Sequence, residues 1–120
     1  MKSSPIVYIE IPAKNTEETI SFYKSAFDWK IEPSNLSDKP YWMFQTGENQ
    51  LAGGFDPSLS ASEGGVLIYL KVFNIDETLD QVQKMGGSVV KGKEPVGGEH
   101  GFSALVRDPS KNLIGLWSET

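Results

Sequence analysis

Asn15-Thr16-Glu17-Glu18-Thr19-Ile20 and Asn74-Ile75-Asp76-Glu77-Thr78-Leu79 are two versions of one phrase, and each follows an alternating apolar segment. Sliding one onto the other by 59 residues pairs Ile9 with Ile68, Ile11 with Leu70, Ala13 with Val72, Glu18 with Glu77 and Thr19 with Thr78. The chain therefore reads as two copies of one supersecondary unit. Each phrase is also a helix start, because Asn can accept a backbone N–H bond at the N-cap while the Glu three residues on reaches back.

Outward from these phrases the elements repeat. Pro5 to Pro12 reads as a strand with Val7, Ile9 and Ile11 on one face and Ile6, Tyr8 and Glu10 on the other. Asn15 caps a helix to about Asp28, whose core stripe is Ile20, Tyr23 and Phe27, with Phe22 and Ala26 beside it. Strands follow at Trp29–Glu32, Tyr41–Gln45 and Gln50–Gly54, separated by the turn-rich Ser34–Pro40 and by a hairpin turn at Thr46–Asn49. Asp56 to Gly65 is a linker. The second copy runs through a strand at Val66–Val72, a helix capped by Asn74 and ending at Met85, and a strand at Ser88–Lys91. A long loop from Lys93 to Gly101, with the chain's one histidine at His100, leads to strands at Phe102–Arg107 and Asn112–Trp117. Each copy is thus β-α-β-β-β. The reading is a single α+β domain, with module 1 at about 5–55, linker 56–65 and module 2 at about 66–118.

Composition narrows the function classes. In 120 residues, 16 acidic groups against 11 basic ones leave a net charge of −5, which repels nucleic-acid phosphates and anionic lipid surfaces. There is no cysteine, so thiol catalysis, thiolate metal sites and disulfides are excluded. Met1-Lys2-Ser3-Ser4-Pro5 leads straight into a strand, and no apolar run approaches signal or transmembrane length. The expectation is a cytoplasmic protein with no nucleic-acid or membrane partner.

Three phrases carry a family resemblance. They are Ile9-Glu10-Ile11-Pro12-Ala13-Lys14-Asn15 with Ile20-Ser21-Phe22-Tyr23 and Ala26-Phe27-Asp28-Trp29; Val72-Phe73-Asn74-Ile75-Asp76-Glu77; and Arg107-Asp108-Pro109-Ser110-Lys111-Asn112-Leu113-Ile114-Gly115-Leu116-Trp117. Together they resemble the vicinal-oxygen-chelate superfamily, which includes glyoxalase I, methylmalonyl-CoA epimerase, extradiol dioxygenases and the fosfomycin and bleomycin resistance proteins. The last phrase looks like that family's D-P-x-G-N-x-(I/F)-x-L-(W/F) hairpin, with Lys111 where Gly is usual. The resemblance implies two modules forming an open, cup-shaped mixed sheet with helices outside, often paired across a homodimer.

It also implies a test. Metal-using relatives hold a divalent ion with one ligand from the first and last strand of each module. Carried onto this chain, those positions fall on Tyr8, Gly53, Leu67 and Gly115. A divalent site needs about three nitrogen, oxygen or sulfur donors, and two glycines and a leucine offer no side-chain donor. No metal and no other cofactor is therefore expected.

What remains is an aromatic-lined hollow with a few polar groups, the usual make-up of a small-molecule site. Its expected ligand-binding residues are Tyr8, Glu10, Trp42, Phe44, Leu67, Tyr69, Lys71, His100, Phe102 and Trp117. Glu10, pointing inward among apolar neighbours, is the candidate catalytic residue, as a general base, or else a cation anchor. The plainer alternatives are that Glu10 pairs with Lys71 or reaches solvent at a dimer seam, that Tyr8 and Tyr69 fill a core with their hydroxyls satisfied, and that Glu99 and His100 sit on a solvated loop. Three functions compete on this reading. The first is a metal-free family member that binds a small organic molecule. The second is a glyoxalase-like lyase or isomerase, with a displaced metal site or with Glu10 as base. The third is a structural or partner-binding module.

Overall fold

The computed structural model describes residues 3–34, 41–48, 51–58 and 65–120. Residues 35–40 of the expected turn, Asn49 and Gln50 of the hairpin, and 59–64 of the linker lie outside them. The elements are β1 (Ile6–Pro12), α1 (Thr16–Phe27), β2 (Lys30–Pro33), β3 (Trp42–Gln45), β4 (Ala52–Asp56), β5 (Leu67–Lys71), α2 (Ile75–Lys84), β6 (Ser88–Pro95), β7 (Phe102–Arg107) and β8 (Leu113–Ser118). The order is β-α-β-β-β twice, an α+β fold. The chain forms two compact units, one of Tyr8–Leu67 and the other of Ile68–Thr120 with the N-terminal residues up to Val7.

The two repeats use the same pairing. In the first, β2, β3 and β4 form an antiparallel run and β1 joins β4 in parallel, with Ile9 opposite Gly53 and Glu10 opposite Gly54. In the second, β6, β7 and β8 are antiparallel and β5 joins β8 in parallel, with Tyr69 opposite Gly115 and Leu70 opposite Leu116. A crossover helix is what allows a first strand to run parallel to a last one. The Lys71 N–H donates to the Pro5 carbonyl at 2.9 Å and ties the N-terminal residues to β5.

The core of the Tyr8–Leu67 unit is Ala13, Ile31, Phe44 and Phe55, with Ile9, Ile11, Ile20, Tyr23, Trp29 and Trp42 packed against it. Trp29 stacks on Tyr23 and on Phe44, with ring centroids 4.6 Å apart in both pairs. The expected stripe on α1 is thus half right. Phe22 and Phe27 are 57% and 58% exposed. The helix ends on Asp28 in the left-handed conformation (φ 57°), and that turn lets Trp29 instead of Phe27 supply the core ring.

In the other unit Val72, Ile75, Ala104, Val106 and Leu116 form the core, flanked by Leu70, Leu79, Val82, Phe102 and Ile114. The buried face expected for α2, Ile75, Leu79 and Val82, is the one observed. Two expectations need correction. The Asn74 side chain accepts from the Glu77 N–H at 3.0 Å, as a cap should, whereas Asn15 makes no side-chain cap bond. Strand β6 runs on past Lys91 to Pro95, taking in Lys93-Glu94-Pro95, which read as loop; it holds this length as a strand with register shifts on either side of Lys91. Among the described residues no helix is long and apolar enough to cross a membrane.

Candidate functional site

Alternation along β1 packs Ile9 and Ile11 on the core and leaves Tyr8 and Glu10 on the opposite face. Tyr41, immediately before β3, reaches the same place. Its hydroxyl lies 2.6 Å from the Tyr8 hydroxyl and donates to Glu10 Oε2 at 2.9 Å. Gly54, paired with Glu10 on one side and Met43 on the other, provides the room. A Cβ at position 54 would run into the Tyr41 hydroxyl and stand 2.5 Å from that of Tyr8. All three cluster side chains are half-buried.

Burial governs the phenols. Taking the phenolate out of water pushes Tyr8 up to about 12, against the opposing effect of its hydrogen bond with Tyr41 and with help from the nearby Glu10 charge. Burial likewise drives Tyr41 far above the ordinary tyrosine range, and Glu10 and Tyr8 push in the same direction. Both phenols therefore keep their protons at neutral pH and act as hydrogen-bonding groups, not as bases.

In the Ile68–Thr120 unit the Tyr69 ring covers Gly115, where a Cβ would lie 2.5 Å from two ring carbons. The Lys71 ammonium is 3.1 Å from Glu119 and 5.7 Å from the centre of the Trp117 ring. The Trp117 indole N–H donates to the His100 carbonyl at 2.8 Å. The loop at 96–101 is closed on itself by the Val96 N–H to the Gly101 carbonyl (3.0 Å) and the His100 N–H to the Gly97 carbonyl (3.2 Å). The His100 side chain is exposed.

Several sequence expectations change accordingly. Trp42 and Phe44 pack on the helix-side core of their unit, with Phe44 only 3% exposed; Met43 is on the face with Tyr41. Phe102 belongs to the core face of β7, capped by the Lys93 ammonium 4.5 Å from its ring centre. Leu67 is buried. Lys71 pairs with Glu119, and Glu10 is held by Tyr41. Gly53 is aimed at the core, since a Cβ there would stand 2.6 Å from the Phe44 ring; the glycine on the Tyr8 face is Gly54. This one-residue correction makes Gly54 the counterpart of Gly115, in keeping with the Glu10–Gly54 and Tyr69–Gly115 pairings. The residue that sequence reasoning missed is Tyr41. Alternation with Met43 was its signal, obscured because Trp42 and Phe44 are aromatic too.

At Gly54 the space a carboxylate or imidazole would need is taken by two phenols, and at Gly115 by the Tyr69 ring. Among the described residues there is no group of three His, Cys, Asp or Glu able to hold a metal. The donors present do not fit the ion.

Comparison with solved structures finds the same fold in a hypothetical protein from Bacillus halodurans C-125, with a TM-score of 0.72, 16% identity and coverage of 99% of this chain and 96% of that one. A glyoxalase/bleomycin resistance protein/dioxygenase superfamily member from Vibrio splendidus 12B01 gives 0.69 at 12% identity, covering 97% and 98%. Methylmalonyl-CoA epimerase from Mycobacterium tuberculosis gives 0.66 at 12% identity, covering 100% and 93%. At such identities the likeness is one of fold. A search of curated proteins found no match. The family model of the Glyoxalase/Bleomycin resistance protein/Dioxygenase superfamily matches residues 5–116, nearly the whole of both repeats, and the chain belongs to that superfamily.

Proposed function

We propose that the protein binds a small organic molecule at the Tyr8–Tyr41–Glu10 cluster, on a scaffold whose usual metal-ligand positions have lost their donors. The observation that carries this reading is that two hydrogen-bonded phenols fill the space a side chain at position 54 would take. A half-buried cluster of two aromatic rings and one carboxylate suits an organic guest, because it offers apolar surface together with a few fixed polar contacts. Two measurements test it. Metal analysis after dialysis against a weak chelator should find no stoichiometric divalent ion, and retention of one ion per chain overturns the proposal. A thermal-shift screen should find a ligand that stabilises the fold, by about 2.7 kcal/mol at 100 times its dissociation constant.

A second reading, a glyoxalase-like lyase or isomerase with Glu10 as general base, draws on the same cluster. A carboxylate beside two protonated phenols combines a proton acceptor with hydrogen-bond donors. Loss of turnover in Glu10→Gln with unchanged ligand affinity favours it, and unchanged turnover of every accepted substrate rejects it. The homodimer belongs to the same proposal. It is supported by the exposed rings of Phe22 and Phe27, and light scattering tests it.

A further inference from the structure

Helix α2 does not cover its unit's sheet evenly. It packs on β6 and β7 more than on β8, so Leu70 of β5 and Ile114 of β8 stay half-buried beside it. Between helix and sheet lies a recess of about 240 Å³, belonging wholly to the Ile68–Thr120 unit with its N-terminal residues. Leu70, Ile114 and Leu116 are its floor, Thr78, Val82 and Met85 its wall, and the turn at 107–109 its far end. The wall residues recur at helical spacing and so share one face of α2. Alternation along β5 and β8 puts the floor on the side of the sheet away from Tyr69 and Gly115.

The surface of this recess is almost all hydrocarbon. The polar groups at its edge are engaged within their own elements. Thr78 Oγ1 donates to the Asn74 carbonyl at 2.8 Å, Arg107 donates to the Lys111 carbonyl, and the Asp108 carboxylate accepts from the Ser110 and Asn112 N–H groups. Water is a poor occupant, because it needs about two to four polar partners, whereas an apolar cavity of about 150 Å³ already takes up benzene. A charged guest would give up its hydration for hydrocarbon.

We propose that the recess is a binding site, separate from the Tyr8–Tyr41–Glu10 cluster, for an uncharged apolar molecule the size of one aromatic ring or a short alkyl chain. Its volume holds one such group, whereas a protein partner needs about 800 Å² of surface on each side. The rest of α2 exposes Asp76, Glu77 and Asp80, and a second copy, at net charge −5, would meet its own sign there.

The test titrates toluene, benzoate and benzylammonium into full-length protein carrying 13C-labelled methyl groups. Toluene is expected to shift the methyls of Leu70, Val82, Ile114 and Leu116 saturably, and to bind there at least about tenfold more tightly than either charged analogue. Thr78→Leu, which adds side-chain volume on the wall, should weaken toluene by about tenfold. Met85→Ala removes part of the wall at a position 69% exposed, where the fold depends on it little. It should weaken toluene by about threefold, and it carries the test should Thr78→Leu fail to fold. Absence of methyl shifts in toluene-saturated buffer overturns the inference. So does a charged analogue that binds equally well, or a toluene affinity unchanged in either folded variant. A dimer whose dissociation on dilution shifts these same methyls would show that a second copy covers the recess, and would overturn it too.

Discussion

Gly54 and Tyr41 compete for one volume: the space a side chain would fill at position 54 is where the Tyr41 hydroxyl lies, directed at Glu10. Gly54→Ala should therefore displace the phenol, not fill a void. We expect it to destabilise the fold by about 1–3 kcal/mol, the usual range for forcing atoms into packed space, and to lose the Tyr41–Glu10 bond with it. Chemical denaturation of Gly54→Ala, repeated in a Tyr41→Phe background, measures this. Because the Phe variant has no hydroxyl at that point, the added methyl should be milder there, and equal penalties in the two backgrounds reject the coupling.

Alkaline stability depends on the same pair. The Tyr8 proton is held in the folded state to about 12, against an ordinary 10.0, chiefly because burial disfavours the phenolate. A folded-state pKa above the unfolded one contributes stability that is complete below pH 10 and is lost as pH rises toward 12. Tyr41 shifts in the same direction. Wild-type denaturation midpoints should thus fall over that window more steeply than those of Tyr8→Phe or Tyr41→Phe, whichever variant is less stable at neutral pH. Parallel profiles in wild type and both variants would contradict the burial argument.

How far the site could be read in advance depended on contrast along each strand. On β1 the polar Glu10 and the hydroxyl of Tyr8 alternate with Ile9 and Ile11, so the two faces separate by period alone. On β3 no such contrast exists. Trp42 and Phe44 line the core, while Tyr41 and Met43 take the other face, and four large apolar residues in a row carry no phase. On β4 the pattern fails differently, since Gly53 and Gly54 have no side chain to pattern. Their faces emerge only from the Phe44 ring on one side and the Tyr41 hydroxyl on the other. The repeated order of elements, with its two helices, was legible because caps and breakers act locally. Which ring fills which space is set by contacts between strands distant in sequence.

The two helix starts offer a matched comparison within one molecule. Asn74 accepts from the Glu77 N–H at 3.0 Å, with its backbone extended (φ −142°, ψ 113°). Asn15 has φ −95° and ψ 71° and makes no such bond; there Thr16 Oγ1 donates to the Ala13 carbonyl at 2.7 Å. Asn74→Ala should cost about 1 kcal/mol, and Asn15→Ala only a few tenths, although the two phrases look alike in sequence. Equal losses in urea denaturation would show that the cap bond at Asn74 contributes little.

Lys111 is the residue where this chain departs from the hairpin phrase it otherwise matches, and its backbone sits in the left-handed region at φ 75°. A side chain there crowds its own carbonyl, at about 1 kcal/mol relative to glycine. The turn around it is held without the lysine side chain. Asp108 accepts from the Ser110 and Asn112 N–H groups, each at 2.9 Å, and Arg107 donates to the Lys111 carbonyl at 2.8 Å. The Asn112 bonds, foremost among these contacts, hold the Asp108 carboxyl below its ordinary range. Lys111→Gly keeps all of these bonds and removes the strain, at the expense of a more flexible unfolded chain. We expect a net gain of about 0.5 kcal/mol in the unfolding free energy, with the Asp108 titration unmoved. A loss of stability, or a rise in the Asp108 midpoint followed by 13C carboxyl NMR, would mean that the lysine side chain helps to hold the turn.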